Sequence, residues 1–186
     1  MPPGSLRIIA GAWRGRSLLA PPGQTTRPTA DRVRQALFDM LTHAPWGGRA
    51  VIEGAVVLDG FAGTGALGLE ALSRGAARAC FVESDTTALR VLRSNIAACK
   101  AADQTDVLAV DILKVGSGQA ATLIFLDPPY GQDLVPRALS RLRLADRVGA
   151  NAVVVAETGH DERWIPDCGV LAERQFGAAR VLIFRA

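Results

Sequence analysis

The chain has 186 residues, 49% of them hydrophobic, and a formal net charge of +3. That suits one domain with a sizeable core and argues against a disordered chain. Its longest apolar runs, GAVVL and NAVVVA, are strand-sized, and MPPGSLRIIAG has no basic stretch leading into a long apolar one, so neither a membrane span nor a signal peptide is expected. Cys80, Cys99 and Cys168 form no CxxC and have only His43 and His160 beside them, which excludes a zinc site and a disulfide framework. A reducing, cytoplasmic setting is expected, with no metal.

The first 35 residues hold Arg7, Arg14, Arg16, Arg27, Arg32 and Arg34 against Asp31 alone, a net +5 on a body that sums to −2. A basic end of this kind points to a polyanion, although 19 of the chain's 21 basic residues are Arg and composition is a competing explanation. Residues 6–20, LRIIAGAWRGRSLLA, alternate around a Gly-Ala-Trp-Arg-Gly centre and predict a hairpin. After the turn-rich PPGQTTRP, the stretch TADRVRQALFDMLTH predicts a helix with Thr29 as its N-cap and Val33, Leu37 and Leu41 on one face.

From residue 55 short β-branched runs alternate with helical ones. AVVLD, ACFVE, VLAVD and LIFLD predict strands; residues 66–74, 85–100 and 133–148 predict helices, with a loop before LIFLD. NAVVVAE predicts a fifth strand, and GVLAERQFGAARVLIFR a closing antiparallel pair around Gly177. This alternation implies an open α/β fold whose mostly parallel sheet is covered on both faces.

Each of the first four strands ends in an acid: Asp59, Glu83, Asp111 and Asp127. In a parallel sheet these ends share one edge, where such folds bind ligands, so up to four negative charges are expected there. DGFAGTGALG follows the first strand, and its Gly63, Gly65 and Gly68 match GxGxxG, a weak signal alone. A dinucleotide would bring its pyrophosphate against Asp59. Two like charges about 4 Å apart repel by roughly 4 kcal/mol at an effective dielectric of 20. S-adenosylmethionine brings a sulfonium and an ammonium instead, and its one carboxylate suits a helix N-terminus. On that reading Asp59 takes the ammonium, Glu83 the ribose hydroxyls, and Asp111 with Ile112 borders the adenine.

LIFLDPPYGQ then acquires a purpose. An exocyclic base amine is a poor nucleophile because its lone pair is delocalised into the ring. Asp127 can accept one of its N–H groups and the Pro128 carbonyl the other, while Pro129 stiffens the turn and Tyr130 offers a flat face to the base. The gain is positioning and electrostatics. A base must be unpaired or flipped out to reach such a pocket. Trp13, Trp46 and Trp164 are expected to pack, and His160 to have no catalytic part.

GAWRGRSLLAPPG, TRPTADRVRQALFDML, VLDGFAGTGALGLEALSRGA, FVESD and FLDPPY together resemble the bacterial RsmD-type methyltransferases, from about residue 6 to the C-terminus. The resemblance implies a Rossmann-like class I fold with a seven-stranded sheet, helices on both faces and a reversed strand near its end. A small hairpin and helix precede it, with residues 1–30 forming an extension packed on or near the catalytic domain of residues 31–186. It implies S-adenosylmethionine as donor and, as target, the N2 amine of a guanine in 16S ribosomal RNA of an assembling small subunit. A monomer is expected from small size. Asp59, Gly60, Phe61, Gly63, Thr64, Gly65, Glu83, Ser84, Asp111 and Ile112 would hold the donor, and Asp127, Pro128, Pro129 and Tyr130 the guanine. Arg7, Arg14, Arg16, Arg27, Thr29, Arg32 and Arg34 would meet RNA. Gly60 departs from the family, where a cysteine is frequent, and is expected to loosen the donor loop. The rivals are an amino-methyltransferase for adenine N6, a protein-glutamine methyltransferase, a nicotinamide-dependent reductase and a ribosome-binding protein without catalysis.

Overall fold

The structure is a computed structural model that describes residues 6–20 and 28–186, with the backbone alone for residues 28–30. In chain order it contains α1 (Pro28–His43), β1 (Val56–Gly60), α2 (Ala66–Ser73), β2 (Arg78–Glu83), α3 (Thr86–Cys99) and β3 (Thr105–Ala109). There follow β4 (Ala121–Leu126), α4 (Leu134–Leu144), β5 (Val148–Gly159), β6 (Val170–Phe176) and β7 (Ala179–Arg185). The seven strands form one sheet in the order β3-β2-β1-β4-β5-β7-β6. Strands β1 to β5 pair in parallel, whereas β7 runs antiparallel to both β5 and β6. The expected closing pair is therefore a β6–β7 hairpin, turning at Gly177 with φ of +63°, and its second strand inserts beside β5.

Alternation along the strands sorts the apolar residues onto two faces, and this sorting positions the site. Val57, Phe81, Phe125, Val155 and Ile183 pack with α1, α2 and α3 on one face. Leu58, Val82, Ile124, Val154 and Phe184 pack with α4 on the other. Strands buried on both sides must be continuously apolar, as these are. Phe38 of α1 meets Phe125 of β4 with ring centroids 5.8 Å apart, both fully buried. Truncating either to Ala costs about 3–5 kcal/mol. The packing expected of the tryptophans is seen in Trp13 and Trp46 against the first layer and in Trp164 edge-on to Phe184.

Several local expectations change. Thr29 lies inside the first turn of α1 instead of capping it; Pro28 opens the helix, where its missing N–H is no loss. Strand β3 ends at Ala109, so Asp111 is not a strand terminus. It caps the following 3-10 turn, Ile112–Lys114, by accepting the Leu113 N–H at 2.9 Å. Residues 6–20 form an antiparallel loop closed by one bridge, Arg7 with Ser17, and by bonds such as Ile8 N–H to Arg16 O at 2.9 Å. This falls short of a two-stranded ladder. Helix α1 begins at Pro28 and so runs across the expected boundary at residue 30, and Leu6, Ile8 and Leu18 share the core of the first face.

Candidate active site

The strand registers place the acids. Asp59 stands opposite Phe81 of β2 and Phe125 of β4, so Glu83 and Asp127 each lie two residues farther toward the carboxyl edge on the same face. Leu126 is opposite Ala156, which sets Asp127 beside Glu157. Three of the four expected acids thus gather, and Glu157 joins them. Its signal was in the sequence, since NAVVVAE also ends in an acid.

The expected sum of charges is corrected by burial. Asp59 is 2% exposed, and loss of hydration pushes its pKa up to about 8, with Asp127 and Glu83 adding repulsion, against one stabilising Gly68 N–H at 2.9 Å. Asp127 is open to the cleft, but the surrounding protein strips much of its hydration and Glu157 faces it, so its pKa also rises. With no cation present, the edge holds protons near neutrality instead of four full charges. A cationic ligand would draw those protons off.

The loop between β1 and α2 is built for close approach. Gly63 has φ of +53°, and an added Cβ would meet only Phe61 O, at 3.9 Å, so its outer side is open. Its N–H donates to Glu83 Oε2 at 2.8 Å, while Glu83 Oε1 accepts the N–H groups of Ser84 and Asp85 at 2.7 and 2.8 Å. Phe61 takes φ of +63°, a left-handed conformation that strains a residue with a Cβ. Gly65 caps α2, and Thr64 O accepts from Asn95 of α3 at 2.9 Å. At Gly68 a Cβ would lie 2.4 Å from the Phe81 ring, so this glycine lets the helix sit on the sheet. Gly60 does not loosen the loop as expected. A Cβ there would lie 2.5 Å from Ile112 Cδ1 and 2.9 Å from Leu126 Cδ2, so those side chains already fill the space. Ile112 is accordingly buried, in the second core layer.

Across the edge, Pro128 is buried, Pro129 is exposed and Tyr130 is 44% exposed. The Tyr130 hydroxyl donates to Glu157 Oε1. Burial and that bond raise the phenol pKa, keeping it protonated. Glu162 Oε1 accepts the Gly131 N–H at 2.6 Å and the Gly159 N–H at 3.3 Å, tying the turn to the end of β5. His160 points elsewhere, pairing with Asp161 at 2.9 Å.

The arginines divide. Arg7, Arg14 and Arg32 line an open groove of about 600 Å3 between the 6–20 segment and α1, with Asp31, Gln35 and Asp39 on its walls. Arg7 also lies 3.7 Å from Asp31. Arg16 donates to the Ala98 carbonyl near the end of α3. Arg34 is not a surface residue: it is 6% exposed, bonds Arg7 O and Asp31, and lies 3.9 Å from Glu70. Arg27 and the Thr29 side chain lie outside the described residues.

Two buried polar side chains that sequence reasoning missed hold the N-terminal segment to the site. Glu70 of α2, fully buried, accepts the N–H groups of Ile9 and Ala10 at 2.7 and 3.0 Å and pairs with Arg74 at 2.7 Å. Asn95 of α3, also fully buried, bonds both backbone groups of Leu19 in addition to Thr64 O. Their only signal was a polar residue inside an otherwise apolar helical pattern.

Comparison with known proteins agrees with this architecture. A family model described as Conserved hypothetical protein 95 matches residues 6–185. Ribosomal RNA small subunit methyltransferase D of Haemophilus influenzae is 39% identical over 164 residues, 86% of this chain and 81% of that protein. The protein of the same name from Escherichia coli K12 is 40% identical over 157 residues, 83% of this chain and 75% of that one. The solved structure of yhhF from Escherichia coli superposes with a TM-score of 0.83 at 34% identity, covering 98% of both chains. The chain belongs to the conserved hypothetical protein 95 family, the RsmD-type methyltransferases.

Proposed function

We propose that the protein methylates the exocyclic N2 amine of a guanine in 16S ribosomal RNA, within an assembling small subunit, using S-adenosylmethionine. The named relatives support ribosomal RNA methylation. The observation that carries the reading is the adjacency of Asp59 on β1 and Asp127 immediately after β4. One buried acid faces the open glycine loop, and its neighbour opens the Asp-Pro-Pro-Tyr turn.

The residues fit the donor. Asp59 is an acid that burial keeps protonated until a cation arrives, which suits the ammonium end. The open side of Gly63 leaves room at the start of α2, and Glu83 and Ser84, joined by a hydrogen bond of 2.7 Å, would take the ribose hydroxyls. Bound there, S-adenosylmethionine would supply a methyl group on a sulfonium, its S–C bond exchanged for the new N–C bond with S-adenosylhomocysteine as the leaving group.

Asp127 and the Pro128 carbonyl accept the two N–H groups of the amine and aim its lone pair. Tyr130 stacks on the base. The nitrogen sheds one proton after alkylation, and Asp127, whose affinity for protons is raised, receives it. Arg7, Arg14 and Arg32 hold RNA backbone along the groove beside α1.

The test is tritiated methyl transfer to small-subunit particles lacking the modification, followed by nucleoside analysis. N2-methylguanosine is expected; N6-methyladenosine would transfer the chain to the adenine reading.

A further inference from the structure

Asp127 and Tyr130 account for gripping an amine, but not for choosing the base that bears it. Guanine and adenine both carry an amine on the Watson–Crick edge, where flipped bases are read. They differ at the neighbouring ring nitrogen: N1 of guanine is a donor, N1 of adenine an acceptor.

Glu157 is placed to read that difference. It emerges beside Asp127 because Leu126 and Ala156 are in register. Strand β5 lies on the far side of β4 from β1, so Glu157 is on the Asp127 side of the edge and away from the glycine loop. Oε1 takes the Tyr130 hydroxyl, which fixes the carboxylate relative to the ring. Oε2 has no donor among the described residues, and the side chain is half-buried. The ring is itself seated against the end of β5: a Cβ on Gly159 would lie 3.4 Å from Tyr130 Cβ.

We propose that Glu157 is a specificity-determining residue that accepts the N1–H of the target guanine through its free carboxylate oxygen and rejects adenine. This rests on the guanine-N2 reading above. Two adjacent acceptors, Glu157 and Asp127, match an edge with two adjacent donors, N1–H and the amine. Adenine would turn a lone pair toward the Glu157 carboxylate, leaving a half-buried acceptor unpaired and repelled. A site built around such a bond discriminates strongly against an analogue lacking the donor. The same tyrosine that stacks on the base thereby also sets the acceptor that identifies it.

The experiment uses small-subunit particles reconstituted with guanosine or 2-aminopurine riboside at the methylated position, mapped first with the wild-type enzyme. 2-Aminopurine keeps the 2-amine and replaces N1–H by a lone pair. Wild-type enzyme is expected to favour guanine by at least about 100-fold in kcat/KM. Glu157→Gln, whose carboxamide can donate to a lone pair, should shrink that ratio by at least about tenfold. A wild-type enzyme that uses both bases equally overturns the proposal, and so does a Glu157→Gln variant that loses both activities in the same proportion. A wild-type product other than N2-methylguanosine overturns the guanine reading itself, and is seen in the mapping step before any variant is compared.

Discussion

The backbone N–H of Gly63 donates to Glu83 Oε2 at 2.8 Å, joining the loop after β1 to the end of β2. With the Ser84 and Asp85 N–H groups on its other oxygen, Glu83 is first of all a strut that ties the glycine loop to the end of β2. Three backbone donors on one carboxylate make a well-satisfied acceptor set. It holds the loop in its left-handed turn with the open side of Gly63 facing outward.

Filling that open side should abolish donor binding. Gly63→Val adds a side chain where the proposed donor would lie and forces a β-branched residue to φ of +53°. Calorimetry with S-adenosylmethionine should show no heat of binding, while thermal unfolding shows a folded protein. Binding that persists would place the donor elsewhere.

Asp59 should make both stability and donor binding depend on pH. Its pKa is raised from an ordinary 3.8 to about 8, so the folded state keeps a proton that the unfolded chain releases. Stability therefore falls as pH rises through that window and is lowest above about 8. The melting temperature of the ligand-free protein should drop from pH 5 to pH 8, and Asp59→Asn should flatten the slope. Donor binding near pH 7 should release up to one proton, read by calorimetry in buffers of different ionisation enthalpy. Release that is unchanged in Asp59→Asn would remove the ammonium from this residue.

Asp127→Ala should lower kcat by at least about 100-fold, the usual scale for a positioned acid–base group. Donor affinity should stay within about threefold, because the role proposed for Asp127 is to hold the amine. Parallel loss of both would assign Asp127 to the donor.

The arginines should separate in a salt titration. Arg14→Glu with Arg32→Glu should weaken RNA binding and reduce the slope of log affinity against log salt, by about 0.7 for each single-strand phosphate that is no longer neutralised. Arg34→Ala should instead lower stability by about 1–3 kcal/mol, since it removes the buried bonds to Arg7 O and Asp31, while Glu70 keeps Arg74. An unchanged salt slope in the double variant would return Arg14 and Arg32 to ordinary solvated surface.

What the sequence by itself determined follows from local periodicity. Five apolar runs of strand length, separated by helical stretches, dictate a parallel sheet, and acids after those runs must collect at one edge because parallel strands end together. The position of Gly63, Gly65, Asp59, Asp127 and Tyr130 at that edge was legible on that basis. Asp111 was misread because the apolar run VLAV outlasts the ladder by one residue, and hydropathy does not reveal where pairing stops.

Only the tertiary structure decided which charges are real and which are reachable. The pKa of Asp59 is raised because packing strips its water, and that of Asp127 because the surrounding protein and the facing Glu157 disfavour its charge. Arg34 leaves the basic face because the fold buries it to 6% exposure, where it bonds Arg7 O and Asp31 and lies 3.9 Å from Glu70, thirty-six residues on. Glu157, the acid that ends NAVVVAE, stands next to Asp127 because β5 pairs with β4 with Ala156 opposite Leu126, a neighbour relation that the run itself does not specify. Composition counts charges; burial and register determine which of them a ligand meets.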